Sequence, residues 1–205
     1  MSDLVRGRYP VTSPAAKLVG LTANATQGNI AVRSNAEWPA LGNWTDGALA
    51  ATGVGAAVAI PVEVGDTFTK VSLLVGAAAE GTGTHAFVAL YSGIATPALL
   101  AQSTDLTGAT AVGPVNARFD FTLASAVTIT QAIAPGGFIY ASIAVTATTV
   151  PTVATASIPT AIGYQWYTAG PLFLSATHGS GLAGTAAATI ASPAAKAVAP
   201  IVFLW

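Results

Sequence analysis

The sequence predicts an all-β domain of the sandwich or barrel type, and three observations support this prediction. Short strand-like segments recur from about residue 66 onward, with turn signals rich in Gly, Pro and Thr between them. Helix-forming patterns are weak, because Gly, Pro, Thr and Val interrupt the Ala-rich windows and long Leu, Glu and Lys runs are absent. Charged residues make up only 7% of the chain, against about 25% in an ordinary soluble domain.

The bulk composition limits the class of protein. A chain of 205 residues fits a single domain, or a domain with an extended arm. It contains no Cys, which excludes disulfides, thiolate metal sites and thiol redox chemistry. The net charge of −1 gives no basic field for nucleic acid, so we expect no nucleic-acid partner.

The mean hydropathy is positive at +0.64, yet we expect no membrane association. A spanning helix needs about 20 consecutive apolar residues. The most apolar window, 186–205, is interrupted by Thr, Ser, Lys and Pro. The opening MSDLVRGRYPV has no apolar segment after its charges, so we also expect no signal peptide.

Residues 1–60 are predicted to be an N-terminal arm and irregular docking segment, followed by a β-sandwich domain over residues 61–205. The first segment is rich in Pro, Gly and Asn and lacks sustained periodicity of either the strand or the helix type. Trp38 and Trp44 flank Pro39, which indicates a segment that docks rather than floats. We expect the arm to lie on its own domain or on a neighbouring chain.

Strand signals then follow at short spacing. The predicted strands span residues 67–75, 85–91, 99–103, 117–123, 127–131, 138–145, 152–157, 164–168, 172–176, 187–190 and 198–204. The fourth of these alternates cleanly, with Phe119 and Phe121 on one face and Arg118 and Asp120 on the other, so Arg118 and Asp120 are expected to form a same-face ion pair. The apolar run that ends at Trp205 is expected to be buried.

The charges are unevenly distributed. After Asp120 the only Lys, Arg, Asp or Glu is Lys196. Neutral strands with open edges tend to pair with other chains, and charge is the usual protection against such pairing. A protein without this protection either closes its edges or buries them in a symmetric oligomer. We therefore expect an obligate assembly component.

Catalytic and metal-binding patterns are sparse. The segment 179–184, GSGLAG, matches a dinucleotide-binding pattern, but no acidic residue follows it and a loop is the expected structure. The two histidines are expected to be turn or surface residues: His85 has Glu80 nearby in sequence, and His178 stands in a Gly/Ser segment. Glu63 and Asp66 leave open a calcium loop site. We expect no enzymatic activity, no cofactor and no metal.

The densest aromatic cluster comprises Tyr164, Trp166 and Tyr167. Aromatic side chains of this kind anchor protein interfaces and cores, which is the interpretation we favour. Exposed flat rings also stack on sugars, so glycan contact by these three residues is the alternative.

The segment from about 66 to 146 resembles β-sandwich modules in virion proteins of tailed bacteriophages, especially those that infect actinobacteria. The resemblance is carried by KVSLLVG, HAFVALYSG, LLAQSTD, ARFDFT, VTIT and PGGFIYASIAV, in that order. Such modules occur in head decoration proteins, head fibres and minor tail proteins. The resemblance implies a jelly-roll-like antiparallel sandwich, a structural or host-contact role, and arms that lace onto neighbours.

The leading hypothesis is a non-enzymatic structural protein on the exterior of a phage virion, made in the host cytoplasm. A capsid decoration or cement protein, bridging coat subunits as a homo-oligomer such as a trimer, fits the absence of a coiled-coil or collagen-like shaft. Arg6, Arg8, Trp38 and Trp44 are the predicted arm anchors. A minor tail or receptor-binding protein that contacts host glycan is the alternative, and a secreted carbohydrate-binding or hydrolytic module is a third hypothesis.

Overall fold

A computed structural model describes residues 33–37, 44–108, 112–158 and 173–205. These residues form thirteen strands and one short 3-10 helix, Asn35–Glu37. The strands are β1 (Arg33–Ser34), β2 (Trp44–Ala48), β3 (Gly55–Pro61), β4 (Thr67–Leu74), β5 (Gly83–Tyr91), β6 (Leu99–Gln102), β7 (Arg118–Thr128), β8 (Phe138–Ala147), β9 (Thr152–Ser157), β10 (Ser175–His178), β11 (Ala194–Ala195), β12 (Val198–Pro200) and β13 (Val202–Leu204). In the described part of the chain, no helix is long and apolar enough to cross a membrane.

The strands form three antiparallel sheets, which confirms the all-β prediction. The largest has the order β11-β10-β3-β8-β5-β6, the second β1-β13-β4-β7, and the third β12-β9-β2. Strand β7 lies against β5 and β6, and β1 lies against β3, so the four-stranded sheet packs on the six-stranded one. Residues from all three sheets contribute to one hydrophobic core. The architecture is therefore sandwich-like.

The central strands of the six-stranded sheet are buried on both faces. All residues of β3 before Pro61 are buried, as are the first eight residues of β8. Tyr140 on β8 stacks on Phe173 at 4.4 Å between ring centroids, and the Tyr91 hydroxyl donates to the carbonyl of Ala187 at 3.0 Å. The chain around and beyond β10 thus covers the face of the sheet that carries Tyr91 and Tyr140. Strands covered on both faces read as continuous apolar runs, and for this reason the Ala-rich β3 gives no alternating signal in the sequence.

Strand β7 confirms the predicted alternation. Phe121, Leu123 and Val127 are buried, whereas Thr122 and Thr128 are exposed. The two strands predicted over 117–123 and 127–131 are a single strand of 11 residues. A register shift in its pairing with β4, between Phe68 and Lys70, accommodates the extra residues as an irregularity within the strand.

The C-terminal run is buried, as predicted, but it is two strands rather than one. Strand β12 pairs with β9, and β13 pairs with β4 and β1. The chain therefore changes sheets at Ile201, which is itself fully buried. The predicted strand 187–190 contributes only an isolated bridge between Ala98 and Thr189. The predicted strand 172–176 overlaps β10, which spans Ser175–His178. The predicted strand 164–168 lies outside the described residues.

Part of the N-terminal segment is built into the sheets. Strand β1 pairs with β13, and β2 pairs with β9. Just after β1, the buried Asn35 side chain accepts from the N–H of Val202 at 2.8 Å and donates to the carbonyl of Pro200 at 2.7 Å. This side chain thereby satisfies the backbone at the point where the C-terminal run changes sheets.

Several sheet edges are short or linked. Strands β1 and β11 have two residues each, which leaves little backbone for an incoming strand. One isolated bridge joins Ser103, just after β6, to Leu123 in β7. A second joins Val75, just after β4, to Val153 in β9. These bridges connect neighbouring sheets at their margins.

Candidate functional site

The six-stranded sheet holds His178 and Ser142 together in its interior. His178 ends β10 and faces Gly55 on β3, while Ser142 lies on β8, the next strand across. The His178 Nε2 and Ser142 Oγ atoms are 2.7 Å apart. Both side chains are buried, with 4% and 3% of their surface exposed. A Ser–His pair therefore exists, but it is closed to solvent.

Gly55 makes this contact sterically feasible. A Cβ at this position would lie 2.6 Å from His178 Nε2 and 2.8 Å from Ser142 Oγ, closer than real side chains pack. The missing side chain on β3 thus leaves a gap through which residues of β10 and β8 meet. The edge of the His178 ring also packs against Tyr91, at 5.6 Å between centroids and 83° between planes.

The surroundings of His178 do not activate Ser142 as a nucleophile. Activation requires a carboxylate that orients the histidine, but the His178 Nδ1 atom is buried without a hydrogen-bond partner. Burial lowers the pKa of His178 below its ordinary 6.5, so the ring is neutral at neutral pH. The expectation of a turn or surface histidine was wrong for His178, because Gly55 provides interior space that spacing along the chain does not reveal.

His85 forms a second pair, with Asp105. Its Nδ1 lies 2.6 Å from Asp105 Oδ2, and the two side chains are 31% and 22% exposed. The acid is Asp105, twenty residues further along the chain, rather than the nearby Glu80. Glu80 is instead buried and accepts from the backbone N–H of Val112 at 2.7 Å. A carboxylate orients His85, but within the described residues its ring forms no hydrogen bond with a hydroxyl.

The glycine-rich segment 179–184 links the two histidine pairs. It follows His178 directly, and a Cβ at Gly184 would lie 2.5 Å from Asp105 Oδ2 and 3.0 Å from His85 Nδ1. Gly179, Gly181 and Gly184 have φ values of 66°, 64° and 76°, which favour glycine. The segment continues without a helix through residue 193, so the strand–loop–helix context of a dinucleotide site is absent there.

Backbone and side-chain hydrogen bonds fix this loop. The N–H of Leu182 donates to the carbonyl of Gly53 at 2.9 Å, and the Thr146 hydroxyl donates to the carbonyl of Leu182 at 2.7 Å. The Gln102 side chain donates to the carbonyl of Gly184 at 3.3 Å and accepts from the N–H of Ala186 at 2.8 Å. The segment 179–184, called the glycine loop below, is thus held in place by hydrogen bonds to residues before β3, in β6 and in β8.

Glu63 and Asp66, considered above as calcium ligands, bind a guanidinium instead. Arg33 donates to both carboxylate oxygens of Asp66, at 2.7 and 3.1 Å, and its Nη2 lies 3.3 Å from Glu63. Burial acts to lower the pKa of Arg33, but the hydrogen bond and charge of Asp66, with a contribution from Glu63, leave that pKa raised. Among the described residues, no group of three His, Asp or Glu side chains could hold a metal ion.

The predicted ion pair on β7 is confirmed. Arg118 Nε lies 2.9 Å from Asp120 Oδ1. Ser72, on β4, donates to the same carboxylate at 2.7 Å and accepts from the Trp205 indole N–H at 2.7 Å. Asp120, Arg118, Ser72 and Trp205 therefore form one connected polar network on the four-stranded sheet.

Most charges in the described residues are engaged in intramolecular contacts. Arg33, Glu63 and Asp66 form one group, Arg118 and Asp120 a second, and His85 and Asp105 a third. Lys196, the lone charge beyond Asp120, donates to the carbonyl of Leu49, and burial lowers its pKa. Asp46 accepts from the N–H of Ala77 at 3.1 Å. Most of the described charges are therefore paired or hydrogen-bonded within the domain.

The predicted anchors and aromatic contacts are only partly covered by the structure. Trp44 opens β2 and packs edge-on against Phe203, with ring centroids 6.4 Å apart and planes at 69°. Arg6, Arg8, Trp38, Tyr164, Trp166 and Tyr167 lie outside the described residues. The one predicted anchor that is described therefore contacts the C-terminal strand of its own domain.

Sequence reasoning missed the partners of both histidines. His178 pairs with Ser142 across 36 positions, and His85 with Asp105 across 20. The available signal was Ser142 itself, which stands in a mostly apolar strand where a buried hydroxyl needs a hydrogen-bond partner.

Comparison of the chain with protein-family models and with curated proteins found no match.

Proposed function

We propose that this chain is a non-enzymatic structural protein on the exterior of a tailed-phage virion, most specifically a capsid decoration or cement protein. Each copy would bridge coat subunits and add contact area to the shell. Burial of apolar surface stabilises such contacts by about 25 cal/mol per Å². The finer topology that we propose for the sandwich is a jelly-roll-like one, in line with the sequence resemblance.

The intramolecular use of charge is the observation that carries this proposal. Arg33, Arg118 and Lys196 each bind acceptors of their own domain, so they contribute little free charge to the surface. Charged residues normally keep β proteins apart in solution. A β domain whose charged side chains are paired within the domain is suited to having its surface covered by companion subunits.

The exposed face of β7 illustrates such a surface. Beyond the Arg118–Asp120 pair, the exposed residues of β7 are all uncharged: Thr122, Ala124, Ser125, Ala126 and Thr128. Thr128 meets Thr67 of β4 with their hydroxyl oxygens 3.0 Å apart. Small neutral residues permit close approach of another subunit with little loss of side-chain entropy.

The histidine geometry favours a structural role over an enzymatic one. Within the described residues, the Ser142–His178 pair is buried without a carboxylate on Nδ1, and the His85 ring of the second pair forms no hydrogen bond with a hydroxyl. Nucleophilic catalysis needs all three parts within reach of substrate. The two pairs account for both histidines of the chain as packing elements.

Quantitative mass spectrometry of purified virions that carry this protein tests the proposal. A decoration protein is expected in copy numbers comparable with those of the major coat protein, and cross-linking is expected to join it to coat subunits. A few copies per particle, cross-linked to tail proteins, would favour the minor tail alternative. Glycan binding that is lost on Trp166→Ala would favour it further.

Sedimentation velocity of the isolated full chain provides a second test. Self-association, or binding to undecorated capsids, is the expected result. A chain that remains monomeric at high concentration and binds no particle would contradict the proposal. Hydrolysis of a polysaccharide that persists through purification would contradict its non-enzymatic part.

A further inference from the structure

The buried His178 ring has capacity for one hydrogen bond more than its surroundings supply. Its Nε2 meets Ser142 Oγ, while Nδ1 is buried without a partner. In the neutral ring only one nitrogen carries a proton, so a single partner is tolerated. In the protonated ring both nitrogens are donors, and Nδ1–H would face the interior with no acceptor.

Among the described residues, the groups shown in contact with His178 carry no charge that would compensate its protonation. These groups are the Ser142 hydroxyl on β8, the backbone at Gly55 on β3 and the Tyr91 ring on β5. Tyr91 is the only titratable group among them, and burial raises its pKa to about 12, so it stays neutral. An uncompensated buried charge is costly, and the structure must open or repack to hydrate it.

The strand that carries His178 is short and lies near the edge of its sheet. Strand β10 has four residues, and only the two-residue β11 separates it from the sheet edge. The glycine loop follows it directly. At the far end of that loop the His85–Asp105 pair lies against Gly184. In this pair the Asp105 carboxylate stands directly beside the imidazole.

We propose that His178 and Ser142 form an acid-sensitive latch, so that protonation of His178 detaches β10 and the start of the glycine loop from β3 while the His85–Asp105 end stays in place. The latch follows from the packing of the sheet and does not depend on the proposed virion role. Its consequence is a local opening in mild acid rather than unfolding of the whole domain.

The direction of the pH effect is fixed by burial. The folded-state pKa of His178 lies below the ordinary value of 6.5, so its contribution to stability is complete above that value. This contribution declines as the pH falls from there through the lowered folded-state pKa. Across that window the open population is expected to rise up to roughly tenfold per pH unit, and then to level off.

Hydrogen exchange of the full chain, measured by mass spectrometry from about pH 8 to about pH 5, tests the latch. After correction for intrinsic exchange rates, peptides over 175–180 are expected to lose protection in acid, whereas peptides over 85–91 keep theirs. His178→Gln preserves a hydrogen bond to Ser142 without a titrating group, so it is expected to abolish the acid response. His85→Gln is the matched control and is expected to retain it.

An unchanged acid response in His178→Gln, or equal loss of protection across all strands, would overturn the proposal. If His178→Gln does not fold, NMR titration of the wild-type chain decides, because the sequence has only two histidines to assign. The latch requires one imidazole to titrate below the ordinary range, together with shifts in the amides of β10. A normal titration of both rings would rule it out.

Discussion

The guanidinium carbon of Arg118 lies 5.1 Å from the centre of the Trp205 ring. The same indole donates its N–H to Ser72, and Ser72 and Arg118 both bind Asp120. Four side chains from β4, β7 and the residue after β13 thus hold the end of the four-stranded sheet. The backbone carbonyl of Trp205 adds two further bonds, accepting from Thr69 at 2.5 Å and Lys70 at 3.1 Å.

Substitution of Trp205 should separate the two side-chain contributions. Trp205→Phe keeps an aromatic face for Arg118 but loses the N–H to Ser72, and should lower the free energy of unfolding by about 1 kcal/mol. Trp205→Ala removes the ring as well and should cost about 2–3 kcal/mol. Urea denaturation measures both values. Equal stability of the two variants would show that the ring contributes nothing beyond its hydrogen bond.

Gly55→Ala should destabilise the six-stranded sheet. The added methyl group would lie against His178 and Ser142 at distances that real Cβ atoms do not adopt. Overpacking of this kind costs about 1–3 kcal/mol. Thermal unfolding of Gly55→Ala, Ser142→Ala and the double variant checks the cause, because removal of the Ser142 hydroxyl should recover part of the loss. Strict additivity of the two single effects would refute the steric explanation.

Arg33→Lys should weaken the attachment of β1 despite its unchanged charge. A lysine cannot reproduce the two parallel hydrogen bonds from Arg33 to Asp66. We expect a loss of about 1–2 kcal/mol in the free energy of unfolding, measured by denaturant titration. Lys70→Arg is the control, because it exchanges the same two residue types at an exposed position of β4 and should have little effect.

Two tyrosines should ionise late in an alkaline titration. Burial raises the pKa of Tyr91 to about 12, and it does the same for Tyr140, where the N–H of Phe173 partly offsets the effect. Because these folded-state values exceed the ordinary 10.0, their stabilising contribution is present below that pH and is lost as the pH rises toward about 12. Ultraviolet absorbance of the phenolate follows this, and Tyr91→Phe should remove one late-titrating group. Ionisation of every tyrosine near the ordinary value would contradict the burial.

Charge placed on β7 should reduce association. Ala124 and Ala126 are exposed, so Ala124→Lys combined with Ala126→Lys adds charge without disturbing the core. If neighbouring subunits cover this face, the variant should bind or self-associate at least about tenfold more weakly, as measured by sedimentation. Ala124→Ser with Ala126→Ser is the uncharged control. Equal loss in both variants would point to shape rather than charge.

Strands with alternating burial, or with runs of β-branched and aromatic residues, could be predicted from sequence, whereas the Ala-rich β3 could not. Phe119 and Phe121 alternate with Arg118 and Asp120, so the first half of β7 and its ion pair were predicted correctly, although its second half was predicted as a separate strand. Strand β3 lies between β10 and β8 under cover on both faces, and its GAAVAIP sequence carries no period-2 pattern.

The histidine pairs were hidden for a different reason. Which side chains meet across β10, β3 and β8 depends on strand order and register, and neither is encoded in local spacing. The need for glycine at position 55 can be inferred only when His178 and Ser142 are known to flank it. Asp105 likewise reaches His85 from a connection whose path is fixed by the sheet.

The pairing of Arg33 with Leu204 has a kinetic consequence. The four-stranded sheet brings together residues from both ends of the described sequence, so its completion requires closure of a very long chain segment. Folds dominated by such distant contacts reach the native state slowly, over milliseconds to seconds. During that interval the neutral, small-residue strands are unpaired, and dilute, cool refolding should give higher yields than concentrated, warm refolding.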